Sequence, residues 1–507
     1  MTRRSLSSIA ALALVGALAL QPVANAAIGV DSSELRADLS AAGIMEHLQA
    51  FQAIADANGG TRHAASTGYT QSADYVESVL EAAGYSVTRT VFDFPFFQEF
   101  SDPTLTLNSP APPAPKSYVL GTEFQSMEYS GSGTVTGSIV PTNDVVIPPG
   151  PAGSSTSGCD AADYPAAVAG EVALIQRGTC TFGEKAVAAQ IAGAAAAIIF
   201  NEGQAGRTDV INGTLGGPVT IPVLDTSFAV GQELYNLARA GGAEVTITTD
   251  TLSETRQSEN VVANTSGRTD RVVVVGAHLD SVPEGPGIQD NGTGSAALLE
   301  LATLMADLEP RNQVRFAWWG AEEAGLLGSE HYVSQLSKRD VKDIALNLNF
   351  DMIASPNFVR FVYDGDGSDT PTAGPNGSKV IEDVFLEYFG AQGLATEPTA
   401  FDGRSDYGPF IAVGIPAGGL FTGAEVLKTA EQVPVYGGSA GIAYDPCYHQ
   451  ACDTVANVNT VALEQMSDAA AHSVLTFAMT TSAVNGTSKS SNSSVTNLEF
   501  KGSHRQR

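Results

Sequence analysis

Basic side chains are scarce in this chain. Its 507 residues carry 26 lysines and arginines against 55 aspartates and glutamates, a formal charge of −29. Such a surface repels a phosphate backbone, which sets nucleic acid aside as a partner. The acidity suits solubility first, and it would also draw a cationic substrate end such as a free peptide N-terminus. Cysteine is scarce too: Cys159, Cys180, Cys447 and Cys452 are all there are, and neither sequence-local pair has the spacing of a zinc ribbon. Beyond the first residues no apolar stretch reaches the roughly 18 residues of a membrane span, so no membrane partner is expected. No internal repeat of roughly 20 to 50 residues is present, which excludes a solenoid.

What is present begins with an export signal. Arg3 and Arg4, the apolar run Ile9 to Leu20 and the Ala24-Asn25-Ala26 cleavage pattern mark residues 1–26. The mature chain is therefore expected to be secreted and soluble, and two charge units more negative. In an exported chain the four cysteines favour the short-loop pairs Cys159–Cys180 and Cys447–Cys452 over the two other pairings. The length exceeds what one hydrophobic core usually supports and calls for at least two domains.

Residues 27–120 open with helical patterning, LRADLSAAGIMEHLQAFQAIADANGG and YTQSADYVESVLEAAGYSVTRTVF, the second running through Gly84 into a strand. Pro103, Pro110, Pro112, Pro113 and Pro115 then mark an irregular connection. Residues 121–251 change character to Gly, Ala and Val with short β-like runs (GEVALIQRG, AAAAIIFNE, AEVTITTD) and one helical piece, FGEKAVAAQIAGA. They read as a compact inserted module. Residues 252–485 alternate strand and helix: VVVVGAH, SAALLELATLMADLE, VRFAWWG, LLGSEHYVSQLSK, IALNLNFD. Near-continuous apolar strands separated by helices predict a mixed, largely parallel α/β sheet covered on both faces. Residues 486–507 are polar and low in complexity, and are expected to be a disordered tail.

In such sheets functional groups collect where strands end at their carboxyl side. His278 ends VVVVGAH, Glu322 and Glu323 follow VRFAWWGA, and Asp351 ends LNLNF. Asp290 arrives from the loop GPGIQDNGTG and His449 from CYHQAC. Each alone has an ordinary explanation, a strand-end histidine, a turn aspartate or an acidic first helical turn. Five such coincidences at one sheet edge are far rarer than any one. Two histidines, two aspartates and a glutamate form a nitrogen and oxygen shell suited to zinc, with the second glutamate free to move protons.

The stretches GAHLDSVPEGPGIQDNGTG, WWGAEEAGLLGSEHY, NLNFDMIA, FDGRSDYGPF and CYHQACDT resemble the secreted two-zinc aminopeptidases of the M28 peptidase family, especially bacterial leucine-type enzymes; HLQAFQAIADANGGTRHAASTGYTQSADYV extends the likeness to the N-terminal part. The resemblance implies a zinc-exopeptidase fold of the phosphorylase/hydrolase type. By motif, Asp290 would bridge two zinc ions, His278 and Asp351 would complete one site, and Glu323 and His449 the other. Glu322 would be the general acid/base acting on a two-metal-bound hydroxide. Asp280 would orient His278 with its carboxylate. Tyr448 would donate to the oxyanion, a role commonly worth about 3 kcal/mol, and Arg404 would contact substrate. A cis Asp290-Asn291 peptide is implied as well. Asn291-Gly292-Thr293 is formally a glycosylation sequon, discounted because a glycan there would block the site. Calcium occurs in some members, but no ligands can be assigned here. SGCDAADYPAAVAGEVALIQRGTCTFGEKAVAAQIAGAAAAIIFNEG resembles a protease-associated (PA) domain through Arg177, Gly178, Cys180, Phe182 and Lys185, which makes the insert a β-rich PA domain; a substrate-guiding role and a passive one both stay open.

The expected activity is removal of N-terminal, bulky apolar residues from peptides or proteins by a monomer. A carboxypeptidase of the same family would need a cluster of arginines, whereas mainly Arg404 lies near the motifs. A one-zinc glutaminyl cyclase conflicts with the five-ligand set. A non-catalytic peptidase-like binding protein would lack ligands, and here each position is filled. Side-chain specificity is not legible; Phe421 and Tyr436 serve equally as pocket or core.

Overall fold

The computed structural model describes residues 30–110 and 115–485; the expected signal segment 1–26, Pro112, Pro113 and the expected tail 486–507 lie outside the described residues. The catalytic half is a sheet whose four inner strands, Ala417–Phe421, Ile344–Phe350, Arg268–His278 and Asn312–Trp319, run parallel in that spatial order. Phe361–Tyr363 joins one edge antiparallel and carries Glu397–Thr399 beside it. Glu244–Asn264 closes the other side antiparallel to Asn312–Trp319.

Because side chains alternate across a strand, the apolar run of residues 272–277 serves two cores. Val273, Val275 and Ala277 pack with Phe316, Trp318, Leu346 and Leu348 against the helices Ala41–Ala57, Thr67–Ala82, Thr293–Met305 and Thr460–Met479. Val272 and Val274 face the opposite way, with Ala317, Trp319, Val333 and Phe410. Burial on both faces is why these strands read as continuous rather than alternating hydrophobics. The first helical pattern divides into Ser33–Asp38 and Ala41–Ala57, because the Ser40 side chain accepts from the Gly43 amide and starts the second helix afresh.

Two long strands, Val87–Ser109 and Glu244–Asn264, pair antiparallel from Val87 opposite Ala263 to Ser109 opposite Glu244. One end of Glu244–Asn264 pairs into the catalytic sheet, Asn264 opposite Arg315, and the other with Gly133–Pro141 of the second module, Glu244 opposite Ser138. The expected boundary at 251/252 therefore falls inside a single strand; the ribbon's pairing shifts register between Glu99 and Ser101, opposite Thr251 and Asp250, but continues on both sides and leaves no linker. Beyond Gly133–Pro141 the strands Val172–Gln176, Ala196–Phe200 and Val223–Thr226 continue in parallel and Phe124–Ser126 ends the row antiparallel, with helices Phe182–Ile191 and Phe228–Ala240 packed on them. Cys159–Cys180 and Cys447–Cys452 are both disulfides. Among the described residues no helix is long and apolar enough to cross a membrane.

Candidate active site

Three parallel strands end at one sheet edge and deliver His278, the Glu322-Glu323 turn and Asp351 there. Asp290 comes from the buried turn before the helix Thr293–Met305, and His449 from the loop closed by Cys447–Cys452. The ligand-type atoms converge in two groups that share Asp290. His278 Nε2 lies 3.2 Å from Asp290 Oδ1 and 3.3 Å from Asp351 Oδ1. His449 Nε2 lies 3.3 Å from Asp290 Oδ2 and 3.1 Å from Glu323 Oε2. Glu322 Oε2 stands 3.9 Å from His278 Nε2.

The backbone around these groups is forced. Among the described residues five non-glycines have positive φ, and four of them, Ala321, Leu326, Met352 and His449, are ligand-type residues or lie within four positions of one. Such conformations cost energy and persist where the surroundings over-determine them. The Asp290-Asn291 peptide is cis. Asn291 is fully buried: its amide donates to Phe350 O at 2.9 Å and its oxygen accepts from the Gly294 and Met352 amides at 2.9 and 3.1 Å. That burial also takes the Asn291 sequon out of reach of a glycan.

A second ring of contacts holds the site. His278 Nδ1 lies 3.1 Å from the Asp280 main-chain carbonyl and 3.7 Å from its carboxylate. The Asp280 carboxylate thus stands beside His278 next to its own main-chain carbonyl, and it also accepts the amides of Glu322 and Glu323 at 3.1 and 3.3 Å. Ser405 Oγ donates to Asp351 Oδ2 and accepts from Asn349 Nδ2 at 2.8 Å. Asp453 accepts the amides of Gln289 and Asp290 at 2.8 and 3.0 Å. Arg62, fully buried, donates to the carbonyls of Leu279, Pro286 and Gly287 and so grips both ends of the loop leading to Asp290. Sequence reasoning missed Ser405, Asp453 and Arg62, although each sits in a stretch that carried the resemblance.

Electrostatics follow from crowding carboxylates where water is excluded. Burial pushes Glu322 well above the usual carboxylate range, and the neighbouring charges of Glu323, Asp406 and Asp351 add to it. Burial likewise lifts Glu323 to about 6. Asp290 goes the other way: burial opposes ionisation, but hydrogen bonds to His278 and His449 hold it low. Both imidazoles are driven up despite burial, His278 by Asp351 and Glu322, His449 to about 11 by Glu323 and Asp290. The cluster demands positive charge.

Tyr448 stacks on the His449 ring, 3.8 Å between centroids, and its hydroxyl accepts from Arg404 Nη2 at 3.2 Å. Arg404 also pairs with Glu425 at 2.8 Å. Both line a cavity of about 400 Å³ with the ligand-type residues and with Met352, Tyr363 and Phe421. Of the two apolar candidates Phe421 lines this cavity, whereas Tyr436 packs with Val359 and Tyr444 in a separate core.

The family model of peptidase family M28 matches residues 260–474, and that of the PA domain residues 135–234. The chain is 48% identical over 437 residues to an aminopeptidase of Pseudomonas aeruginosa, covering 85% of this chain and 80% of that one. It is 47% identical over 328 residues to leucine aminopeptidase 2 of Trichophyton rubrum, covering 64% of this chain and 66% of that one. Among solved structures the aminopeptidase from Aneurinibacillus sp. strain AM-1 superposes with a TM-score of 0.62 at 24% identity, over 93% of this chain and 99% of that one. A zinc aminopeptidase from Bacillus subtilis gives 0.54 at 24% identity, over 86% and 94%. These two likenesses are of fold. Together with the strand-end site, the sequence matches place this chain in peptidase family M28, as a peptidase that carries a PA domain.

Proposed function

We propose that the protein is an exported, zinc-dependent aminopeptidase that removes N-terminal, bulky apolar residues from peptides. The observation that carries this reading is the pair of imidazole and carboxylate groups sharing Asp290. The donors fit two zinc ions by their chemistry. A carbonyl can only accept, so the His278 contact to Asp280 O puts the ring hydrogen on Nδ1 and leaves Nε2 facing two carboxylate oxygens. Asp351 Oδ1 and Glu323 Oε1 are buried without a hydrogen-bond partner. Cations at these places would satisfy all of them: His278 and Asp351 for one, Glu323 and His449 for the other, Asp290 for both.

Zinc held by these residues would lower the pKa of a bound water and polarise a carbonyl oxygen. Glu322, buried beside His278, would take the attacking water's proton and return it to the leaving amine. The Tyr448 hydroxyl, oriented by Arg404, supplies a donor for charge developing on the carbonyl oxygen. Met352, Tyr363 and Phe421 give the cavity an apolar side for the N-terminal side chain, while Asp402, Glu128 and Glu284 outnumber the single arginine of its lining, which suits an amine and not a carboxylate terminus. Closed disulfides and the lack of a described membrane-spanning helix accord with export.

The test uses leucine p-nitroanilide with free and with acetylated amine, on protein of known zinc content. Glu322→Gln is expected to keep both metals and lose more than 100-fold in kcat, whereas Glu323→Gln loses metal. Equal metal content in the two variants, or equal cleavage of the acetylated substrate, would overturn the reading.

A further inference from the structure

The catalytic cavity adjoins a second one. A neighbouring cavity of about 560 Å³ meets it at Glu128, Val282, Glu284 and Glu323, the residues common to both walls. An enzyme that removes one N-terminal residue needs a single side-chain pocket beside its reacting atoms, and the first cavity supplies it at Met352, Tyr363 and Phe421. The rest of the substrate must lie elsewhere, and the second cavity begins beside Glu323.

Its walls come from three parts of the chain. Phe94, Phe96 and Phe97 of the long ribbon give an aromatic surface, and the loop at Val282 to Glu284 leads back to the site. Glu128 and Tyr129 reach in from the PA side, where the Glu128 amide donates to Gly213 O at 3.2 Å and its carbonyl accepts from the Leu215 amide at 3.1 Å. The fifth positive-φ non-glycine among the described residues is Tyr129, so strained backbone borders this cavity as it borders the catalytic one. Lysine and arginine are absent from the lining, where Glu99, Glu128 and Glu284 stand beside the aromatic rings; behind it Arg256 packs over Phe96 at 3.6 Å and pairs with Glu254, which leaves Phe94 and Phe97 as the rings with no cation over them among the described residues. The Glu128 side chain has no ion pair or hydrogen bond among the described residues, so its carboxylate is available to a ligand.

Resting on the aminopeptidase reading, we propose that this second cavity receives the first residue after the scissile bond and selects a lysine or arginine there, with Glu128 as the specificity-determining carboxylate. The aliphatic stem of such a side chain lies along the phenylalanine rings while its cation reaches the glutamate. An acidic residue in that place meets the carboxylates of Glu99, Glu128 and Glu284, although His63 and Arg256 also stand near it. The PA domain would thus help to choose substrates.

The experiment measures leucine release by the zinc-loaded full chain from Leu-Lys-Ala, Leu-Gln-Ala and Leu-Glu-Ala. Each kcat/KM is divided by that for leucine p-nitroanilide, which presents no side chain after the scissile bond. The expected order is Lys, then Gln, then Glu, with at least a tenfold span. Glu128→Gln should shrink the Lys to Glu ratio threefold or more, and Glu128→Lys should bring it to one or below. Equal rates for the three peptides, or a ratio that both variants leave unchanged, would overturn the inference while leaving the aminopeptidase reading intact. Absence of leucine release from every substrate would remove that reading and this inference with it.

Discussion

Arg62 ties the N-terminal helices to the metal-competent loop, and replacing it by methionine tests that tie. Its guanidinium is fully buried over the Phe51 ring at 5.0 Å, has no ion pair among the described residues, and donates to the carbonyls of Leu279, Pro286 and Gly287. Burial pushes its pKa down to about 10 from 12.5, with Asp280, Asp453 and Asp290 opposing the fall. At 1.36 kcal/mol per unit, keeping the charge buried costs roughly 3 kcal/mol, a cost that an uncharged methionine side chain would not carry. Against this, three buried carbonyls lose their donors at about 1 to 3 kcal/mol each, near 6 kcal/mol at mid-range. The net loss is about 3 kcal/mol, which lowers Tm by roughly 3 °C for a chain of this size. Because the freed loop runs from His278 to Asp290, zinc content and kcat should fall together. Thermal melts, zinc assay and leucine release on Arg62→Met, with Arg62→Lys as an intermediate case, measure all three. An Arg62→Met protein that melts within 1 °C of the parent and keeps its zinc and kcat would refute the argument.

Lys185 lies buried in the PA domain, donating to Ser157 O, and burial pushes its pKa down to about 8. Below pH 8 the lysine is protonated in both folded and unfolded chains. Between 8 and 10.5 the unfolded chain binds more protons, so stability should rise with pH by up to about 3 kcal/mol relative to Lys185→Met; denaturant titrations of both at pH 7 to 11 check this, and a flat difference contradicts it. Ser405→Ala removes the donor to Asp351 Oδ2, and should weaken zinc retention in a chelator competition about tenfold or more, in line with the loss of other outer contacts to metal ligands.

The strand ends were legible in the sequence because a strand buried on both faces writes an unbroken apolar run, and the first polar residue after it marks the edge. That is how His278, Glu322, Glu323 and Asp351 stood out. Asp290 and His449 entered as metal-competent residues of the loops GPGIQDNGTG and CYHQAC, whereas Tyr448 and Arg404 came from motif resemblance, since these loops have no periodicity to read. Asp453 and Arg62 were not found: an aspartate after a cysteine and an arginine after a glycine pair look ordinary until Gln289, Asp290 and the 279–287 loop fold onto them. The Asp280 carboxylate was foreseen as a neighbour of His278, but its amide partners depend on how the Glu322 turn sits, which side-chain spacing does not encode.

By itself the sequence determined the mixed α/β sheet, a set of metal-ligand residue types and the peptidase family, because local periodicity and short motifs carry these, and it favoured the cysteine pairs that the structure contains. Only the tertiary structure decided that one long strand serves both the catalytic sheet and the PA domain, that Asp290 stands between two histidines 171 positions apart in the chain, and that Glu128 reaches the catalytic cavity. These depend on hydrogen-bond register along a ribbon and on packing between segments far apart in the chain, where contact is set by the whole fold and by no stretch within it.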